Sequence, residues 1–272
     1  MKKSLFIILF FTSCLGWSDV IRSPIHSLDK TMIRFENGRV AFIDSNEKLL
    51  SDQLTEAAIR KDLIEVKIDD EQSLISVQTI QEGPSHLKRM NLMEDPASIT
   101  FEPTVIPGYS EALKLFNRLN TNWVRSSECS NRAHIWAFEE FKTNNLKSQK
   151  AFVFFTASYI NRNRFKWWFH VAPLFTIKEN SGLEKRVFDV MFTDRPVTIK
   201  EWTDNFVFSK RPCKLTTKFS EYDVNPQTED CYFIISPMYY WTPTDISNEE
   251  TQNRFKRDFN QGEIRAAYSE AF

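Results

Sequence analysis

Glycine is scarce in this 272-residue chain, occurring 6 times, and never in the clustered spacing that lets backbone amides wrap a phosphate. Nucleotide binding is therefore not expected. Basic residues do not gather either: 35 Lys and Arg stand against 36 Asp and Glu, interspersed to a formal net charge of −1. Without a basic stripe, nucleic acid is not an expected partner. No segment reaches the ~20 consecutive apolar residues of a spanning helix, so no membrane span is expected. The 4 histidines and 4 cysteines form no His-x-x-x-His or Cys-x-x-Cys spacing, and His26, His86 and His134 lie in unrelated contexts. Neither a metal nor any other cofactor is expected.

Aromatic residues are abundant, with 24 Phe, 7 Trp and 7 Tyr, enough for a well-filled interior. The length suffices for one full core and a smaller second unit. Lys2-Lys3 followed by the short apolar run Leu5 to Phe11 has the form of an export signal. Residues 1–18 are assigned to it, and the mature protein is expected to be secreted or periplasmic. A second option is a lipoprotein anchored at Cys14. Without Cys14 three cysteines remain, an odd number in an oxidising compartment. Cys213 and Cys231 flank a polar, turn-rich stretch and are the disulfide candidates; a loop of that length gains about 3 kcal/mol from closure. Cys129 is left free.

Asn37-Gly38 between Met32–Phe35 and Val40–Ile43 signals a hairpin. A helix is expected over about 52–63, then strands at 64–68 and 74–80. Residues 81–108 carry prolines 84, 96, 103 and 107 and little periodicity, so the unit boundary is placed there: 19–108 as an N-terminal accessory or pro-segment, 109–272 as the catalytic domain. The second unit should open with a helix over 110–122, followed by a helix from Cys129. Strands are expected at 151–160, 166–177, 185–191 and 231–235. Thr198-Ile199-Lys200-Glu201 is a capping box, and 247–271 has helical character. The fold class is α+β, a helix packed on an antiparallel sheet.

Cys129 precedes the apolar-periodic run Ile135 to Phe141, which puts its thiol at a helix start, where unpaired amides and the dipole favour a thiolate. His170 lies in the strand-like run 167–173 and is expected to share a face with Trp168 and Ala172. Asp189 lies in another such run, facing the same way as Val187 and Met191. A thiol, an imidazole and a carboxylate are the parts of an activated-cysteine acyl-transfer site. A carboxylate among Val187, Phe188 and Val190 needs a partner. That partner is either His170 or a lysine or arginine in a structural ion pair.

Around these residues the sequence resembles the bacterial protein-glutaminase (protein-glutamine deamidase) family. The resemblance rests on Cys129-Ser130-Asn131-Arg132-Ala133-His134, Trp168-Phe169-His170-Val171-Ala172 and Glu184-Lys185-Arg186-Val187-Phe188-Asp189, continuing to Pro196-Val197-Thr198 and Trp202. It spans about 110–231. It implies a core like that of transglutaminases and papain-like proteases, with Cys129 as nucleophile, His170 as general base and acid, and Asp189 as the orienting residue. It also implies hydrolysis of glutamine side-chain amides in proteins to glutamate and ammonia, and a secreted precursor whose pro-segment, here within 19–108, blocks the cleft. One departure is Val190-Met191, where the family commonly has Pro-Ser. The expected enzyme is a cofactor-free monomer acting on glutamine-bearing proteins or peptides. The rival readings are a transglutaminase or cysteine protease using the same triad, or a non-enzymatic envelope protein with an inert Cys129.

Overall fold

The computed structural model describes residues 19–43, 48–81, 101–123, 127–224 and 229–272. The expected signal, Cys14, His86 and most of the proline-rich stretch lie outside these residues. The N-terminal unit begins with four short strands, β1 (Asp19–Ser23), β2 (Ile25–Leu28), β3 (Met32–Phe35) and β4 (Val40–Phe42). β3 and β4 pair antiparallel across the expected Asn37-Gly38 turn, where Gly38 adopts φ +89°, a conformation that suits a residue without a Cβ. Helix α1 (Lys48–Arg60) begins and ends earlier than expected. Lys61 is left-handed (φ 57°) and releases Leu63 into β5 (Leu63–Ile68), which pairs with β6 (Leu74–Gln81). Two three-stranded sheets, β1-β5-β6 and β2-β3-β4, result. Ile21, Ile33, Phe35, Leu54, Ile64 and Val66 fill the core between them and α1.

The second unit starts with β7 (Val105–Ile106) and α2 (Tyr109–Phe116). α2 is shorter than expected because the chain tightens after Phe116, with Leu119 N–H donating to Phe116 O at 3.2 Å. Then come α3 (Cys129–Asn144) and β8 (Gln149–Phe155). The strand expected to run to Ile160 stops here: the Thr156 hydroxyl accepts from Tyr159 N–H at 3.2 Å and caps α4 (Ala157–Asn163). Next are β9 (Phe169–Glu179), β10 (Gly182–Val187), α5 (Ile199–Thr203), β11 (Lys214–Leu215), α6 (Glu221–Val224) and β12 (Cys231–Pro237). The C-terminal stretch is two helices rather than one, α7 (Pro243–Gln252) and α8 (Gln261–Ala271). Asn253, left-handed at φ 51°, ends the first, and the Asn260 side chain caps the second.

The central sheet runs β10-β9-β8-β12-β11. It is antiparallel except for β11 beside β12 and for β7, which adds in parallel to β9; nothing in the sequence signals so short a strand. β8 and most of β9 are buried on both faces. Val153 pairs with His170 and Ala151 with Ala172, so these four share one face. Ala133 and Ala137 of α3 join the same core, and small side chains on both surfaces let helix and sheet approach closely. The fold is mixed α+β. Cys213 and Cys231 form a disulfide across a separation of 18 residues, tying the start of β12 to the chain before β11.

The two units share packing. Met32, Val40 and Phe42 belong to the main core. Backbone bonds cross from Val40 N–H to Lys166 O (3.1 Å) and from Trp168 N–H to Gly38 O (2.9 Å). The Trp168 indole N–H donates to Phe35 O at 2.7 Å, and its ring stacks on His26 with centroids 4.4 Å apart.

Candidate active site

α3 presents Cys129 as its first residue, partly exposed. β9 presents His170 as its second, buried to 3% exposure. Asp189 is not in a strand. β10 ends at Val187, and Asp189 opens a turn in which its carbonyl accepts from Phe192 N–H (3.0 Å) and Thr193 N–H (2.9 Å). The turn corrects the expected facing with Val187 and Met191: Asp189 is 2% exposed, whereas Met191 is at the surface. Regularity also fails before β9, and Trp167 rather than Trp168 lies against the His170 ring, stacked at 5.9 Å.

The buried carboxylate finds its partner in the imidazole. His170 Nε2 and Asp189 Oδ2 are 2.7 Å apart. The Trp202 indole N–H donates to the same oxygen at 2.8 Å, and Met191 N–H reaches Oδ1 at 3.3 Å. Trp202 is held there by the expected capping box of α5: the Thr198 hydroxyl accepts from Glu201 N–H (3.1 Å) and Glu201 accepts from Thr198 N–H (2.9 Å). With Nε2 engaged by Asp189, Nδ1 is the ring nitrogen left for Cys129, which lines the same cavity. Burial opposes a charged ring, but the negative charge of Asp189, the sulfur of Cys129 and the hydrogen bonds to both outweigh it and raise His170 to about 9. Phe192, Trp202 and Phe206 surround the imidazole at centroid distances of 5.1, 5.5 and 4.9 Å. They keep water from the His–Asp bond.

A cavity of about 600 Å³ opens onto Cys129 and His170. The N-terminal unit supplies part of its wall through Asp19–Arg22, Asn37 and Arg39, facing Glu128, Arg132 and Trp167. Arg39 pairs with Asp19 at 2.5 Å. Glu128 is raised to about 7 by burial and by the charge of Glu270, against the hydrogen bond from Asn37 and the charges of Arg132 and Arg39. Sequence reasoning did not single out Glu128 or the wall built by the N-terminal unit, and it quoted Trp202 without a role. The capping box four residues before Trp202 was the available signal, since it fixes the orientation of that turn.

The other described histidines lie elsewhere. His134 is fully buried with Lys150 Nζ 2.7 Å from its Nδ1 and the Trp241 ring stacked at 5.8 Å. His26 sits on Trp168 beside Glu36, at 3.6 Å. Among the described residues no group of three or more His, Cys, Asp or Glu is placed to hold a metal ion, and no helix is long and apolar enough to cross a membrane.

Residues 110–206, which contain the thiol, the imidazole, the carboxylate and Trp202, match the family model described as Glutaminase. This segment is similar to the glutaminase family. The match supports a hydrolase acting on amide C–N bonds. Among solved structures, one of a pro-protein-glutaminase aligns over 93% of this chain and 91% of its own, with a TM-score of 0.51 and 15% identity, a likeness of fold. Protein-glutaminase from Chryseobacterium proteolyticum is more distant, with a TM-score of 0.40 and 20% identity over 60% of this chain and 85% of its own. No curated protein matches the sequence.

Proposed function

We propose that the protein is an exported deamidase that hydrolyses glutamine side chains of proteins to glutamate and ammonia through a thioester on Cys129. The observation that carries this reading is one imidazole bonded to Asp189 at Nε2 and sharing a cavity wall with the free thiol of Cys129. The Cys129 thiolate attacks the glutamine Cδ, and the carbonyl π pair moves to oxygen. The N–H groups of the first turn of α3 have no intrahelical acceptor and no side-chain cap. The Cys129 N–H is thereby available to the oxyanion. Collapse of the tetrahedral adduct breaks the C–N bond, and His170 donates the proton with which ammonia leaves. Water, deprotonated by His170, then attacks the thioester, giving glutamate and the free thiol. Asp189 fixes the imidazole tautomer throughout. On this reading the core is of the papain and transglutaminase type, a nucleophile-bearing helix packed on an antiparallel sheet. Residues 19–108 form an inhibitory unit, which accords with the wall they contribute to the cavity.

The test is incubation with a glutamine-containing peptide. Ammonia should be released and glutamine converted to glutamate, with neither chain cleavage nor cross-linking to lysine, and Cys129→Ala should abolish the reaction while leaving circular dichroism unchanged. A Cys129→Ala protein that still releases ammonia refutes the assignment.

A further inference from the structure

Helix α3 carries Cys129 as its first residue, yet it has no side-chain cap and no acidic residue in its first turn. A helix end whose first N–H groups lack partners tends to fray, and fraying here would displace the sulfur. The turn is held from outside instead. Asn131, fully buried, donates from Nδ2 to Glu270 Oε2 at 2.7 Å and accepts at Oδ1 from the Trp241 indole N–H at 3.0 Å. An ionised carboxylate only accepts and an indole only donates, so the amide has one orientation. Trp241 is itself pinned: its backbone N–H donates to Asp245 Oδ2 at 2.6 Å, and its ring stacks on His134, one turn further along α3, at 5.8 Å. Lys256 ties Asp245 and Glu263 together, at 2.7 Å each, which joins α7 to α8. Glu270 is oddly placed for its own helix. It stands in the last turn of α8, which holds no basic residue and where the dipole disfavours an anion. The N-terminus of α3 favours one, and the carboxylate reaches the third residue of that helix.

We infer that Asn131 and Glu270 are positioning residues for the nucleophile. The C-terminal helix supplies, through Asn131, the hold on the first turn of α3 that the helix's own residues lack, and so fixes where the Cys129 sulfur stands in the cavity it shares with His170. The inference rests on the deamidase reading for the reaction whose rate the clamp governs. Neither Asn131 nor Glu270 lines the cavity, so losing the bond between them acts on turnover rather than on substrate binding. A displacement of about 1 Å at a reacting group costs as much as roughly 10²-fold in rate.

Reversing the bond tests this in the full chain. In Asn131→Asp two carboxylates meet where an amide faced one. At a temperature where circular dichroism shows the variant folded, kcat for ammonia release from a glutaminyl peptide should fall about tenfold, with KM little changed. The Arg132 N–H closes the first turn on Glu128 O at 3.2 Å, and its hydrogen exchange should quicken about tenfold while that of β12 does not. Adding Glu270→Gln lets the new amide donate to the new carboxylate, and both quantities should return to those of the unsubstituted chain. Glu270→Ala, a change at an exposed position, should give the same local losses and serves where Asn131→Asp does not fold. A merely structural role would quicken exchange throughout the chain and leave kcat unchanged in the molecules that remain folded. Unchanged kcat in the folded single variants, or a double variant no better than Asn131→Asp, overturns the inference. If the unsubstituted chain releases no ammonia, the deamidase reading fails, and exchange at Arg132 still upholds or overturns the clamp.

Discussion

Asp189 holds two donors on one carboxylate oxygen, the His170 ring and the Trp202 indole, at 2.7 and 2.8 Å. A carboxylate fixed from two directions cannot rotate away from the imidazole, so the ring has one orientation towards Cys129. Asp189→Asn keeps the shape but favours the wrong tautomer, and kcat for ammonia release should fall by roughly 10³–10⁴, as in other triads. Trp202→Phe leaves the ring packing in place and removes one donor. We expect a loss of roughly tenfold in kcat, the low end of what a mispositioned catalytic group costs, with the KM for a glutaminyl peptide little changed. The pH dependence follows from the raised His170. An ordinary histidine titrates near about 6.5, and this one is raised to about 9. The sign is that of a group gaining protons on folding. Its contribution to stability is complete below about pH 6.5 and disappears as pH rises through about 9. On the proposed mechanism, the imidazolium that protonates leaving ammonia disappears over the same range. The alkaline limb of the kcat profile should therefore lie near about 9 and move to lower pH in Asp189→Asn. A limb that does not move would show that Asp189 has no hold on the ring.

Among the elements, α5 is a five-residue helix whose work is to aim Trp202. Its capping box joins Thr198 and Glu201 by three bonds, so Thr198→Ala should cost about 1 kcal/mol of stability and in addition lower kcat, because the indole loses its fixed direction. A larger loss of stability from Cys213→Ser with Cys231→Ser, about 3 kcal/mol for a loop of this size, should leave kcat unchanged at temperatures where the variant is folded, since neither cysteine lines the cavity. Calorimetry beside a kinetic assay separates the two cases. These elements also show what was legible in the sequence. The capping box and the Asn37-Gly38 hairpin are local: a few adjacent side chains decide them, and both are where the residues place them. The helix start at Cys129 is local too. What the sequence concealed depends on competition over distance. Thr156 ends β8 by capping α4, although Tyr159 and Ile160 continue a strand-like run. Asn253 and Asn260 divide a periodic stretch into α7 and α8. The setting of Asp189 is a turn within a β-like apolar run, and turns have no periodicity to reveal them. Glu128 stands among serines in a polar stretch and differs from a solvated residue only once β1 and the hairpin cover it.

At the scale of the whole molecule, the N-terminal unit meets the second one along the strand that carries His170. The hairpin turn sits against Phe169, the residue before the imidazole, so closely that a Cβ at Gly38 would fall 3.1 Å from the Phe169 ring. Gly38 also adopts φ +89°, which costs a side-chain-bearing residue about 1–2 kcal/mol. Gly38→Ala therefore meets two penalties that act together: strain in the hairpin, and pressure on β9 that is relieved only if the hairpin backs away. Moving it withdraws Asn37 and Arg39 from the cavity, since both flank Gly38, and lengthens the bond from Trp168 N–H to Gly38 O. If the N-terminal unit restrains the site, the full-length Gly38→Ala protein should release ammonia faster than the unsubstituted chain while unfolding at lower temperature. Once proteolysis has digested the N-terminal unit away, the two should reach the same rate, because the altered residue belongs to the part that is removed. A substitution that lowers the unfolding temperature and leaves full-length activity unchanged would mean that the hairpin supports the fold without guarding the cleft. The contest is between shared core and covered site. Met32, Val40 and Phe42 bind the unit into the main core, so release must expose apolar surface around Trp168 and Phe169. That cost tends to keep the unit in place after cleavage of the chain, and activity should then rise only as the cleaved unit is digested further.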